Sequence, residues 1–487
     1  MRKVSEVLTE ATIYFIVVFS PWAFGTTEEW AVSIMNLAGY FLGLLWLVKW
    51  VSRWRLGPTP RRTRKADQSN ELDLAAQKNF STPLPLALAC LTIVLLAYCA
   101  VGALNARAIY HGSELGFEFR DYLAWLPASY DRLRTWKAFE NYLALAFVFW
   151  ATRDWLLAQR TGASSPHHNE RSKSLLLPSR LRRLLWVLAL NGALLAMEGI
   201  LQRLEGSDRL LWLVQPTYNR TAESQFGPYA YRSNAAQYFN LVWPVCLGFW
   251  WALHRTARTE SSNRSPFFQR ARIVLLPAAI IMAACPIIST SRGGAIVAVV
   301  EMSLVIGVFF FCYRGSDWRP KLTIIILFIC TLATAGYWGW GALKPRLERV
   351  LSDNLGGRGE IYENARRMAT DFPVFGSGPG TFASIYQLYR TSPEQEWAAQ
   401  VHNDWLETRI TFGWVGSSLI ALALMSVFLR WFFPGAIEVS WRLPIFFWIA
   451  LAGCLLHAVA DFPLQIYSIL LLFVLFCAIL FCLSSKE

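Results

Sequence analysis

Charge is scarce in this chain: 16% of its 487 residues are Asp, Glu, Lys or Arg, against 55% hydrophobic residues that include 23 Trp and 32 Phe. So little polar surface cannot cover a water-soluble globule of this length, which excludes a string of soluble domains and leaves a polytopic membrane protein. Cysteine is missing from the soluble stretches. All nine cysteines, at 90, 99, 246, 285, 312, 330, 454, 477 and 482, lie in or beside apolar runs, so they read as packing residues and indicate neither a disulfide framework nor a thiolate metal site. No P-loop pattern occurs, which argues against nucleotide hydrolysis as a driving force, and no internal repeat stands out. Histidines number six, so each can be weighed singly, and the net charge of +13, which would suit nucleic acid, reports topology first in a membrane chain.

What the chain has in quantity is apolar length. Twelve runs approach the roughly 20 residues needed to cross a bilayer, at 8–25, 30–48, 83–104, 140–158, 184–201, 233–253, 273–289, 294–313, 322–342, 409–429, 443–460 and 463–483. The fold class expected is therefore an all-α polytopic membrane protein of about twelve transmembrane helices. The first run is long, lacks a small-residue cleavage site and is followed at once by a second, so it reads as a span rather than a cleaved signal. The short loops RWRLGPTPRRTRK (53–65) and RSKSLLLPSRLRR (171–183) face the cytoplasm by the positive-inside rule, while TTEEW (26–30) faces out. Both termini are then cytoplasmic. Residues 59–80 and 160–174 read as disordered inner linkers. The organisation expected is 1–179 for four spans with long linkers, 180–342 for spans five to nine, 343–408 for a large outer loop with amphipathic helices, and 409–487 for the last three spans.

The chemistry is expected in LGGRGEIYENARRMATDFPVFGSGPGTFASIYQLYRTSPEQEWAAQVHNDWLETRITFGWVG (355–416). Arg358 opens a predicted amphipathic helix whose apolar positions Ile361, Ala365, Met368, Ala369 and Phe372 recur at helical spacing. A cation is unfavourable at the positive end of a helix, which suggests a ligand; the plain alternative is pairing with Glu360 or Glu363. GSGPG (376–380) is either a backbone nest for phosphate oxygens or a simple turn. His402 lies where the outer loop enters span ten, and an imidazole is suited to take a proton from a sugar hydroxyl near neutral pH, with Asp404 and Glu407 near enough to orient it. Its alternative is a structural interfacial histidine. Arg292, in SRGG at the start of span eight, either binds an anion at the helix start or touches lipid headgroups. His457 and Asp461, four apart, either face each other or leave Asp461 to cap span twelve. Glu198 and Glu301 are carboxylates within or near spans, with Arg203 or Arg232 the expected partner of the first.

SRGG at a span start, GRGEIY leading an amphipathic helix, PVFGSGPGTF, HNDWLETRITFG, the upstream YRSNAAQYFNLVWP and the late HAVADFPLQ together resemble the O-antigen ligase / O-antigen polymerase superfamily over roughly residues 180–480. His402, Asn403 and Gly413 fit that family's histidine motif, and Arg292 and Arg358 fit its two outer-face arginines. The resemblance implies a glycosyltransferase of the bacterial inner membrane, active on the periplasmic face. His402 would be the general base, and Arg292, Arg358, Asn403 and Arg232 would bind substrate. The donor implied is a glycan on undecaprenyl pyrophosphate, the acceptor lipid A core or a growing glycan; neither metal nor cofactor is called for, and no D-x-D signature is present. Ligase, polymerase and protein O-oligosaccharyltransferase share these motifs. A transporter of the lipid-linked glycan is the alternative from another class, although its charges would sit at midplane in broken helices.

Overall fold

The computed structural model describes residues 2–56, 83–158, 177–259, 266–311, 358–391, 397–432, 437–439 and 442–485, with scattered positions between 322 and 344. The expected inner linkers and most of the ninth span lie outside the described residues. The remaining eleven expected spans all fall on helices: α1 (Arg2–Trp22), α2 (Glu29–Leu56), α3 (Pro83–Leu104), α4 (Arg132–Leu157), α5 (Ser179–Glu205), α6 (Arg232–Thr259), α7 (Pro266–Ile288), α8 (Arg292–Phe311), α11 (Asp404–Leu429), α12 (Arg442–His457) and α13 (Tyr467–Cys482). Between them come a hairpin, β1 (Ala108–His111) with β2 (Gly116–Phe119), and two helices in the soluble stretch, α9 (Arg358–Asp371) and α10 (Phe382–Tyr386). Among the described residues, six helices are long and apolar enough to cross a membrane, namely α1, α2, α3, α5, α8 and α11, while α7, α12 and α13 hold shorter apolar stretches.

Helix α6 fails that measure because it is not lipid-like: it carries Ser233, Asn234, Gln237 and Asn240, and every residue from Ser233 to Trp251 is buried. It packs on α7, α12, α8 and α5. Polar groups are tolerated there because each faces protein rather than hydrocarbon, where an unpaired group would cost several kcal/mol (on the order of 4–8).

The bundle has two chemically distinct ends. At one, Glu6 and Glu10 in the first turns of α1 meet Lys49, Arg180 and Arg183, while Arg53 of α2 pairs with Asp154 of α4 at 2.7 Å. Starting from that end, α1, α5 and α12 run one way and α2, α4 and α13 return, since Cys482 at the end of α13 reaches the Arg153 carbonyl. At the other end sits a small second core of Ile361, Ala365, Met368, Phe382, Ile385, Tyr386, Val401 and Ile410, with Phe117 and Tyr130 against it. Helix α9 spans only 14 residues, marginal on its own; burying Ile361 and Met368, at roughly 1.5–3 kcal/mol each, holds it in place.

Candidate active site

Five chain segments converge at this second end: the start of α6, the start of α8, the start of α9, the loop leading into α11, and the turn after α12. Their common point is Asp461. Its Oδ1 accepts from His402 Nδ1 at 3.1 Å and from the Phe462 amide at 3.1 Å, and its Oδ2 accepts from Ser233 Oγ at 2.5 Å and from Tyr231 Oη at 3.3 Å. Four donors fill the acceptor positions of one carboxylate. Burial by itself would raise this carboxyl, but the hydrogen bond from His402 and the positive charge of Arg358 hold it well below the ordinary carboxylate range.

An ionised Asp461 can only accept, so His402 Nδ1 carries the hydrogen, and in the neutral imidazole it is Nε2 that offers the lone pair. The imidazole is a quarter exposed, the carboxylate only 8%. Backbone geometry aims it: His402 has φ of 58°, a left-handed conformation unusual for a residue with a side chain. Tyr362 Oη holds it there through the His402 carbonyl at 3.0 Å, and Phe462 packs edge-on against the ring with centroids 4.7 Å apart. Asp404 and Glu407 do not orient the imidazole as expected. Asp404 Oδ2 accepts from the Leu464 amide and Glu407 Oε2 from the Val401 amide, each staying within the backbone of the loops.

Arg358 does not pair with Glu360 or Glu363 as the alternative had it. Its guanidinium donates to the Ala460 carbonyl at 2.7 Å and to Tyr231 Oη at 3.3 Å, while Glu363 is taken by Arg367. Burial opposes its charge, yet the fields of Asp461 and Tyr231 raise its pKa on balance. Tyr231 thus links cation to carboxylate, and its own hydroxyl is pushed up, first by burial and then by Asp461.

Arg292 is the first residue of α8, whose start is capped by Ser291 Oγ on the Gly294 amide. The glycines that follow do permit close approach, but to protein: a Cβ at Gly293 would lie 2.8 Å from His457 Nε2, and one at Gly294 2.3 Å from the Ala236 Cβ. The start of α8 therefore abuts the Asp461 cluster through His457. His457 and Asp461 are bridged rather than paired, because Ser233 Oγ lies 3.3 Å from His457 Nε2 and 2.5 Å from Asp461 Oδ2. Nor does Asp461 cap the last span; α13 begins at Tyr467 after a turn that Pro463 opens.

Asn403 and Arg232 have structural bonds. Asn403 Oδ1 caps α11 on the Leu406 amide at 3.0 Å, and Arg232 donates to the Glu223 carbonyl at 2.8 Å. Arg203 reaches the carbonyls of Ala222, Gln225 and Ser289 instead of Glu198, whose two oxygens have no hydrogen-bond partner. GSGPG is a docking turn. Its Ser377 and Gly378 amides donate to the Ile410 and Thr411 carbonyls, and α11 breaks at Gly413 (φ 60°, ψ −167°) to receive it.

Residues 277–421 match the family model described as O-antigen ligase. The chain carries an O-antigen ligase domain. That domain contains Arg292, Arg358 and His402, and the match supports the resemblance to the O-antigen ligase / O-antigen polymerase superfamily. No curated protein matches the chain. Three members of the cluster, Tyr231, Ser233 and Asp461, lie outside the matched O-antigen ligase segment. Sequence reasoning passed over Tyr231 and Ser233 and gave Asp461 a different partner. The signal was present in YRSNAAQYFN and HAVADFPLQ, two segments separated by more than two hundred residues that meet only in the fold.

Proposed function

We propose that the chain transfers a glycan from undecaprenyl pyrophosphate to an acceptor sugar hydroxyl on the periplasmic face of the bacterial inner membrane, as an O-antigen ligase acting on lipid A core. The observation that carries this reading is the buried carboxylate tied to His402 Nδ1 with the Arg358 guanidinium beside it, inside and around an O-antigen ligase domain. His402 Nε2 takes the acceptor proton as its oxygen attacks the anomeric carbon; the bond from that carbon to pyrophosphate breaks and its electron pair leaves with the phosphate. Asp461 stays ionised and stabilises the imidazolium that forms. Arg358 and Arg292 receive the leaving charge, a role guanidinium groups fill without a divalent cation. Asn403 and Arg232 would contact the substrate from the loops to which their structural bonds tie them.

Deleting the chain tests the reading. A ligase leaves lipid A core bare while lipid-linked polymer accumulates. A core bearing a single repeat unit would instead identify a polymerase, and failure of lipid-linked glycan to reach the periplasmic leaflet a transporter.

A further inference from the structure

Three polar residues of α6, Ser233, Gln237 and Asn240, recur at spacings of four and three and so form one stripe along a helix that is otherwise buried among apolar side chains. Asn240 Nδ2 donates to the Gly294 carbonyl at 3.0 Å, Gln237 Oε1 meets His457 Nδ1 at 2.8 Å, and Ser233 Oγ sits between His457 and Asp461. Proton counting gives this stripe a direction. Ser291 donates its hydroxyl to Ser233 Oγ at 3.2 Å, and its own oxygen accepts from the Gly294 amide. The Ser233 proton is committed to Asp461, which can only accept. The His457 Nε2 that faces Ser233 must therefore carry a hydrogen and use the second lone pair of that hydroxyl; a neutral imidazole then accepts at Nδ1, so the Gln237 side chain turns its amide N–H to that nitrogen. The chain of donors runs His457 Nε2–H to Ser233 Oγ–H to Asp461, with His402 Nδ1–H arriving from the opposite side.

We infer that Ser233, held in place by His457, is a positioning residue that fixes the direction of the Asp461 carboxylate and through it the aim of His402. The inference rests on the glycosyl-transfer reading above. Without the Ser233 hydroxyl, Asp461 loses its shortest donor and His457 Nε2–H is left unpaired in a buried site, so the carboxylate is free to turn away from the imidazole. A serine that only packed α6 against α8 and α12 would affect folding alone.

The experiment is a kinetic comparison of the purified full chain in lipid nanodiscs, measured in single turnover with a lipid-linked glycan and lipid A core. Ser233→Ala is expected to lower the transfer rate by about 10- to 100-fold, the range for a hydrogen bond to a charged group, with donor KM unchanged. Ser233→Thr, which keeps the hydroxyl, recovers most of the rate. In an Asp461→Asn background, Ser233→Ala adds less than about twofold, because both changes remove the same interaction. Should Ser233→Ala not fold, His457→Gln, which retains an N–H donor, is expected to outperform His457→Leu. An unchanged rate for Ser233→Ala, an equal loss in both backgrounds, or equal rates for the two His457 variants would overturn the inference. If His402→Ala and Asp461→Asn transfer at the native rate, it is the proposed chemistry that fails, and this inference with it.

Discussion

An imidazole becomes a directed base only when its second nitrogen is held. In His402 that hold is the 3.1 Å bond from Nδ1 to Asp461. His402→Ala is expected to lower transfer by about 10²–10⁴-fold, the usual contribution of a general base, while donor binding survives; a folded variant retaining more than about a tenth of the native rate would exclude the histidine. Asp461→Asn preserves shape but presents an amide that no longer demands Nδ1–H, and the rate should fall comparably. The same substitution has a pH signature. Asp461 has a depressed folded pKa, so its stabilising contribution is present in full above the unfolded value of about 3.9 and is lost as the pH falls through the folded value. Melting temperatures taken from neutral to acidic pH should therefore fall less steeply for Asp461→Asn than for the native chain; parallel curves would contradict the ionised carboxylate. Arg358 makes two bonds from one planar fork, so Arg358→Ala should weaken donor binding by about tenfold or more, and Arg358→Lys should recover only part, since an ammonium cannot span the Ala460 carbonyl and Tyr231 together. Titration with a lipid-linked donor would show it.

At the scale of elements, the break in α11 matters more than the helix itself. Gly413 adopts a conformation open to glycine almost alone, with the Val374 carbonyl 2.3 Å from where a Cβ would stand. The turn it receives is fixed further by Tyr98 of α3, whose hydroxyl reaches the Phe375 carbonyl at 2.5 Å and the Phe412 carbonyl at 2.9 Å. This joint sets how the first turns of α11, and hence His402, stand against α12. Gly413→Ala should cost about 1–3 kcal/mol in backbone strain alone, with the steric contact added. A lower melting temperature by tryptophan fluorescence, together with reduced transfer, is the expected result; an unchanged melting temperature would show that the loop can yield.

For the whole molecule, the two ends of the bundle differ in what they carry. Ion pairs of Glu6, Glu10 and Asp154 gather at one end, and the Asp461 cluster lies at the other. A reporter fused near residue 170 is expected in the cytoplasm and one near residue 390 in the periplasm. The reverse pattern would place the candidate site on the wrong side of the membrane for lipid-linked glycan transfer while leaving the bundle itself intact.

Apolar run length marked the eleven helices that fall within described residues, because crossing a bilayer is a local demand on about 20 consecutive residues. Helical spacing likewise marked α9, with Ile361, Ala365 and Met368 all turned into the second core. Arg292 was visible as a charge too costly to leave unexplained near a membrane, Arg358 as a cation at the positive end of a helix, and His402 as an imidazole where the outer loop enters a span. Which carboxylate His402 would find was not legible. Asp404 and Glu407 are nearer along the chain, but the helix that begins at Asp404 turns both onto backbone amides. Asp461 arrives from 59 positions away, and Ser233 and Tyr231 from more than two hundred further back. Local sequence decides periodicity and burial. Only the packing of α6, α8, α11 and α12 decides which donors share a carboxylate, since hydrogen bonding depends on distances that the chain acquires when those helix ends meet.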